Sequence, residues 1–171
     1  MKTNTVRGFT LIELMVSITI IGILTAGAAV AFGNARANAR DAQRYAVLAQ
    51  MQLALETYRQ VNGSYPSTSN TWWSVCSGFG SKDVTGVNGY VPNLAPTYMT
   101  KLPLDPVSAT GCSGTNKGYL YRSNGTDYKF LVYQTIEKKA KCDNDKKEYW
   151  DPTRSGTQMT CAVYSAGGSA F

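Results

Sequence analysis

From Phe9 to Gly33 the chain carries 25 residues with a single charged side chain, Glu13. As a helix at about 1.5 Å per residue this run spans about 37 Å, enough to cross a hydrocarbon core of about 30 Å with some tilt. The segment is therefore expected to insert in a membrane. A carboxylate near a bilayer centre costs roughly 2.5–3.5 kcal/mol, and less toward the interface, so Glu13 calls for a compensating partner. Residues 1–8 hold two basic residues, Lys2 and Arg7, and no acidic one, which keeps this leader on the cytoplasmic side and places the rest of the chain outside. A cleaved secretory signal would end its apolar run at a small-residue site. Here the run continues instead into a helix of different character.

That change comes at Asn34. Arg36, Arg40 and Arg44 recur every fourth residue as a basic stripe, facing solvent or headgroups, or pairing with carboxylates of neighbouring subunits. Tyr45, Leu48, Met51, Leu55 and Tyr58 recur at the three- and four-residue spacing of an amphipathic helix with a core-facing side. Asn62-Gly63 supplies a C-cap and Pro66 prevents resumption. Phe9 to about Val61 thus reads as one helix of about 80 Å. Gly22, Gly27 and Gly33 weaken its first half by about 1 kcal/mol each relative to Ala.

Ser64 to Lys101 is rich in Gly, Ser, Pro and Asn, with Trp72, Trp73, Phe79 and Tyr90 as anchors, and reads as a long structured loop. Leu102-Pro103-Leu104-Asp105-Pro106 fixes an extended path. Gly118–Ser123 and Tyr128–Glu137 are expected strands, joined by Asn124-Gly125-Thr126-Asp127 with hairpin-turn chemistry, and Thr160–Ser165 a further one. The expected result is a three- or four-stranded antiparallel meander packed on the second half of the helix.

At 171 residues the chain has room for one domain beyond the apolar segment. It contains no His, the usual acid-base residue near neutrality and the commonest metal ligand. No nucleophile–base pair or phosphate-binding loop stands out, so the chain is expected to be no enzyme and to need no cofactor. The four cysteines, Cys76, Cys112, Cys142 and Cys161, all follow the apolar run and form no C-x-x-C pair. In an exported domain they imply disulfides, with three possible connectivities. Pairing neighbours in sequence favours Cys76–Cys112 and Cys142–Cys161. Asp143-Asn144-Asp145 offers calcium-type oxygen ligands but lacks the Gly turn and distal Glu of an EF-hand, so Asp143 and Asp145 are at most a weak metal site. Lys138, Lys139, Lys141, Lys146 and Lys147, with Tyr149 and Trp150 nearby, suit contact with DNA, although acidic residues interleave with them.

Arg7-Gly8-Phe9-Thr10-Leu11-Ile12-Glu13 ahead of an apolar run closely resembles the class III signal of type IV pilins and type II secretion pseudopilins. Gly63-x-Tyr65-Pro66 and Leu102-Pro-x-Asp105-Pro are similar to motifs frequent in major pseudopilins, although Val107-Ser108 stands where those relatives often have Trp-Gly. The resemblance implies an α+β, pilin-like fold, a long N-terminal helix packed by its second half on a small antiparallel sheet. The domains would be leader 1–8, assembly helix 9–33 and exported domain 34–171. It also implies cleavage after Gly8 and methylation of Phe9 by a prepilin peptidase, and a role for Glu13 in assembly. The partners would be copies of the chain and the inner-membrane assembly platform, and the location the inner membrane and then an extracellular filament or periplasmic pseudopilus serving adhesion, motility or secretion. Relatives often carry a Pro late in the first helix where this chain has Val30, and carry calcium in a C-terminal loop where this chain offers a disulfide. The competing class is a binding module, a minor or DNA-binding pilin.

Overall fold

A computed structural model describes residues 8–138, 142, 148–154 and 159–171. The chain divides into two compact units, Met1–Ala37 and Asn38–Phe171. One helix, α1, Leu11–Asn62, runs through the boundary between them.

In the first unit α1 begins two residues after Phe9 and passes through Gly22, Gly27 and Gly33 without interruption. Its apolar side chains are exposed, from Leu11 at 76% to Phe32 at 67%, and the helix is long and apolar enough to cross a membrane. Its hydroxyls turn inward along the helix. Ser17 donates to the Glu13 carbonyl, Thr19 to Met15 and Thr25 to Ile21, each at 2.7 Å. This backbone-directed bonding leaves these donors with no need of an outside acceptor.

In the second unit Val47, Leu48, Met51, Ala54 and Leu55 of α1 are buried. They form one cluster with Tyr119, Tyr121, Tyr128, Phe130, Val132 and Val163. Tyr45 and Tyr58 flank this stripe half-buried, as the spacing predicts. Gly63, in the left-handed region at φ 77°, closes α1 by donating its N–H to the Arg59 carbonyl at 2.8 Å.

The sheet is a four-stranded antiparallel meander in chain order: β1 (Cys112–Ser113), β2 (Lys117–Ser123), β3 (Tyr128–Tyr133) and β4 (Cys161–Tyr164). Its register sets Leu120 against Leu131 and Leu131 against Ala162. Alternation along β3 sends Tyr128, Phe130 and Val132 toward α1. On the opposite face Leu120, Leu131 and Ala162 are covered by Trp72, Phe79, Tyr133 and Tyr164. Lys129, also on that face, is fully buried and donates to Asp151 at 3.0 Å and to the carbonyls of Ser169 and Phe171.

β2 and β4 fall within one residue of their expected limits, while two strands depart further from the sequence reading. β3 ends at Tyr133 rather than Glu137, because Gln134 takes φ 57° and turns the chain out of the ladder. β1 is a two-residue strand whose pairing with β2 follows from the tight Gly114 turn rather than from any strand-like run of its own. The loop from Ser64 to Lys101 contains only a short 3-10 turn, Ser77–Phe79, and isolated bridges, Trp73 to Tyr121 and Asp83 to Gly89.

Cys76 is joined to Cys112, and Cys142 to Cys161, with Cα atoms 5.6 and 5.2 Å apart. The second link closes a 19-residue separation that encloses the charged loop, and in the chain-entropy model such a closure contributes about 3 kcal/mol. Non-reducing peptide mapping should recover these two pairs. Replacing Cys142 and Cys161 together by Ser should lower the unfolding free energy by about that amount, read from denaturant melts.

Candidate processing and assembly site

Gly8 and Phe9 lie outside α1 and are exposed. The helix start is built from Thr10 and Glu13. Thr10 donates its backbone N–H at 2.9 Å and its hydroxyl at 2.7 Å to Glu13 Oε2, while the Glu13 N–H donates to Thr10 Oγ1 at 3.3 Å. This reciprocal arrangement is a capping box, in which the side chain of each residue satisfies the backbone donor of the other. It holds the carboxylate at the first turn, where the helix dipole favours negative charge. Phe9, Ile12, Glu13, Val16 and Ser17 line one shallow hollow beside it. Gly8, Phe9 and Glu13 are thus gathered at one end of the apolar helix, a hydrolysable bond just ahead of a capped turn.

A second constellation ties α1 to the sheet. The Arg44 guanidinium, 1% exposed, donates to Asp105 at 2.9 Å, to Asp41 at 2.8 Å and to Glu137 at 3.2 Å. Asp105 also accepts from the Thr135 hydroxyl at 2.6 Å and from the Val107 N–H at 2.9 Å. Asp41 accepts the N–H groups of Glu137 and Lys138. Arg40 grips both oxygens of Glu137, at 2.7 and 2.6 Å. Its guanidinium is the main cause that holds the Glu137 carboxyl down to about 2. The side-chain bonds of the three carboxylates in turn raise Arg44 above the usual arginine range, against the opposing effect of its burial.

This corrects the reading of the basic stripe. Arg44 is buried and Arg40 half-exposed, and both are paired with carboxylates within the chain rather than left for a neighbouring subunit; of the stripe Arg36 alone is fully on the exposed side. The sequence signal for the network lies in Arg44 itself, which stands four, seven and eleven residues before Leu48, Met51 and Leu55 and so shares their buried face.

Of the remaining candidates, Lys139, Lys141, Lys146, Lys147, Asp143 and Asp145 lie outside the described residues. Tyr149 stacks on Tyr45 with ring centroids 5.7 Å apart, and Trp150 is half-buried. Among the described residues no cluster of three or more potential metal-ligating side chains that could hold an ion occurs.

Residues 3–29 match the model of the prokaryotic N-terminal methylation motif. Over 109 residues the chain is 32% identical to the type II secretion system core protein G of Klebsiella michiganensis, covering 62% of this chain and 71% of that protein. No solved structure matches the chain.

Proposed function

The chain belongs to the pseudopilin family of type II secretion system core protein G, and from that membership we propose that it is a structural subunit. It is made as a membrane-anchored precursor with its domain outside, cut after Gly8 and methylated on Phe9 by a prepilin peptidase. An inner-membrane assembly platform then adds it to copies of itself in a type IV-like filament. The reading is carried by the exposed Gly8–Phe9 bond just ahead of a capped helix whose membrane-length apolar run, to Gly33, holds Glu13 as its single charge. Cleavage there creates an amine at the end of an apolar helix, four residues from a carboxylate, and the two charges need each other once water is excluded. Anchoring in the membrane before assembly and packing in the bundle of helices afterward account for an apolar segment that remains on the mature protein.

Mass spectrometry of the mature protein should find N-methyl-Phe9 at its start, and sheared filaments should consist mainly of this chain. A mature start beyond Ala26, as an ordinary signal peptidase would leave, overturns the processing step. Filaments built of another subunit overturn the structural role.

A further inference from the structure

Of the described carboxylates, those of Asp41, Asp105, Glu137 and Asp151 are ion-paired. Glu13 serves the capping box, Glu56 accepts from Tyr65, and Asp127 accepts from Ser165 and Gly167. Asp83 differs from all of these. It is exposed, and among the described residues its carboxylate takes no hydrogen bond or ion pair, while its backbone is fixed by bonds to Asn88 and Tyr90. Four residues on, the same loop presents Val87, 66% exposed. The neighbouring Lys82 does not neutralise Asp83, since its ammonium sits over the Trp73 ring at 3.9 Å.

The domain also carries a matching hollow. A polar cleft of about 330 Å³ is lined by Arg40, Lys117, Gln134, Glu137, Pro106 and Val107, with the buried Arg44 among its lining residues. Lys117, at the β1–β2 turn, is exposed and makes no ion pair among the described residues. Val107 supplies an exposed apolar wall, 37% accessible. The lining carries three cations against the one carboxylate of Glu137, which Arg40 and Arg44 already hold.

We propose that the 83–89 loop of one copy docks in this cleft of the next, Asp83 against Lys117 and Val87 against Val107. The inference rests on the self-assembly reading above and names the contact that reading lacks. The occupant is a second copy because both halves are present on one domain and each supplies what the other wants: an unpaired carboxylate beside an apolar knob, and an unpaired ammonium beside an apolar wall. Two different patches meeting head to tail form a heterologous contact, which propagates as an open helix when the rotation does not close. Lys101, Arg36 and Arg59, exposed cations that also make no ion pair among the described residues, are not among the residues lining this cleft.

Carbodiimide treatment of sheared wild-type filaments should join the Asp83 carboxylate to the Lys117 amine as an interchain amide, identified by peptide mass spectrometry and missing from the detergent-solubilised precursor. Lys117→Asp and Asp83→Lys should each weaken the contact about fivefold, the scale of one exposed pair, and lower filament yield. The double reversal should restore it. Both side chains are exposed and unbonded, so near-UV circular dichroism should report an unchanged fold in each variant. Crosslinks from Asp83 to Lys101, or single reversals that assemble at wild-type yield, overturn the docking while leaving self-assembly standing. A wild-type chain that forms no filaments overturns both.

Discussion

Filament growth should stop when Glu13 is replaced by Ala, while processing and membrane insertion continue. The expectation follows from the charge that the proposed cleavage after Gly8 would create. An amine on Phe9 and a carboxylate on Glu13 of the same helix share a face and can meet within one chain, but in the proposed filament an axial stagger would set the carboxylate of one copy against the amine of the next. At 4 Å and an effective dielectric near 20 that attraction is about 4 kcal/mol, against about 1 in water. Between apolar helices free to slide, it also fixes register. The capping box adds a discriminating variant. Glu13→Gln keeps an oxygen able to accept from Thr10, where Oε2 now takes bonds at 2.9 and 2.7 Å, but removes the charge. Charge pairing requires Gln to fail as Ala does, with Asp intermediate because its reach is shorter. Normal filaments from Glu13→Gln as sole subunit, counted by electron microscopy of sheared material, would assign the residue to capping alone.

The second large effect concerns Arg44. Arg44→Met would leave Asp105 and Asp41 buried without their cation, and removing one partner of a buried ion pair costs about 3–5 kcal/mol. For a domain of this size the loss corresponds to a Tm lower by roughly 10 °C or more, measured on the full chain in detergent. Arg44→Lys keeps the charge but loses the planar fork that reaches Asp41, Asp105 and Glu137 together, and should fall between. The same network gives a pH dependence of known sign. The Glu137 carboxyl, held down to about 2 in the folded chain by Arg40, would titrate near 4.3 when unfolded. Its contribution is therefore complete above about pH 4.3 and lost as pH falls toward about 2. Thermal melts between pH 5 and 2 should decline through that window, and Arg40→Ala should flatten the part that Glu137 supplies.

How much of this was legible beforehand differs by element, for physical reasons. The second half of α1 announces itself because Leu48, Met51 and Leu55 repeat with the helix period, and β2 and β3 because aromatic and β-branched residues flank an Asn-Gly turn. The charge lock is harder to read. Its cation and Asp41 both come from α1, but Asp105 and Glu137 come from distant segments, so these partners meet only after the rest of the domain packs on the helix. The basic stripe reads as a surface because lysines and arginines usually lie on one, and only the shared phase of Arg44 with the buried leucines argues otherwise. The Thr10-Leu11-Ile12-Glu13 capping signature is plain in the sequence, but a carboxylate considered only as a cost in lipid conceals its local partner. β1 has no signal of its own. Two residues carry no period, and their pairing depends on a turn geometry that spacing does not encode.

The inward-turned hydroxyls of Ser17, Thr19 and Thr25 bear on how such a helix changes its surroundings. Every backbone and hydroxyl bond along that stretch stays within the helix, so acyl chains and the side chains of a neighbouring helix meet the same skin of CH groups. Exchanging one for the other breaks no hydrogen bond and makes none. For the proposed subunit, traffic between bilayer and polymer would then be a solvent exchange of low friction in either direction, its direction left to whatever acts at the two ends of the segment.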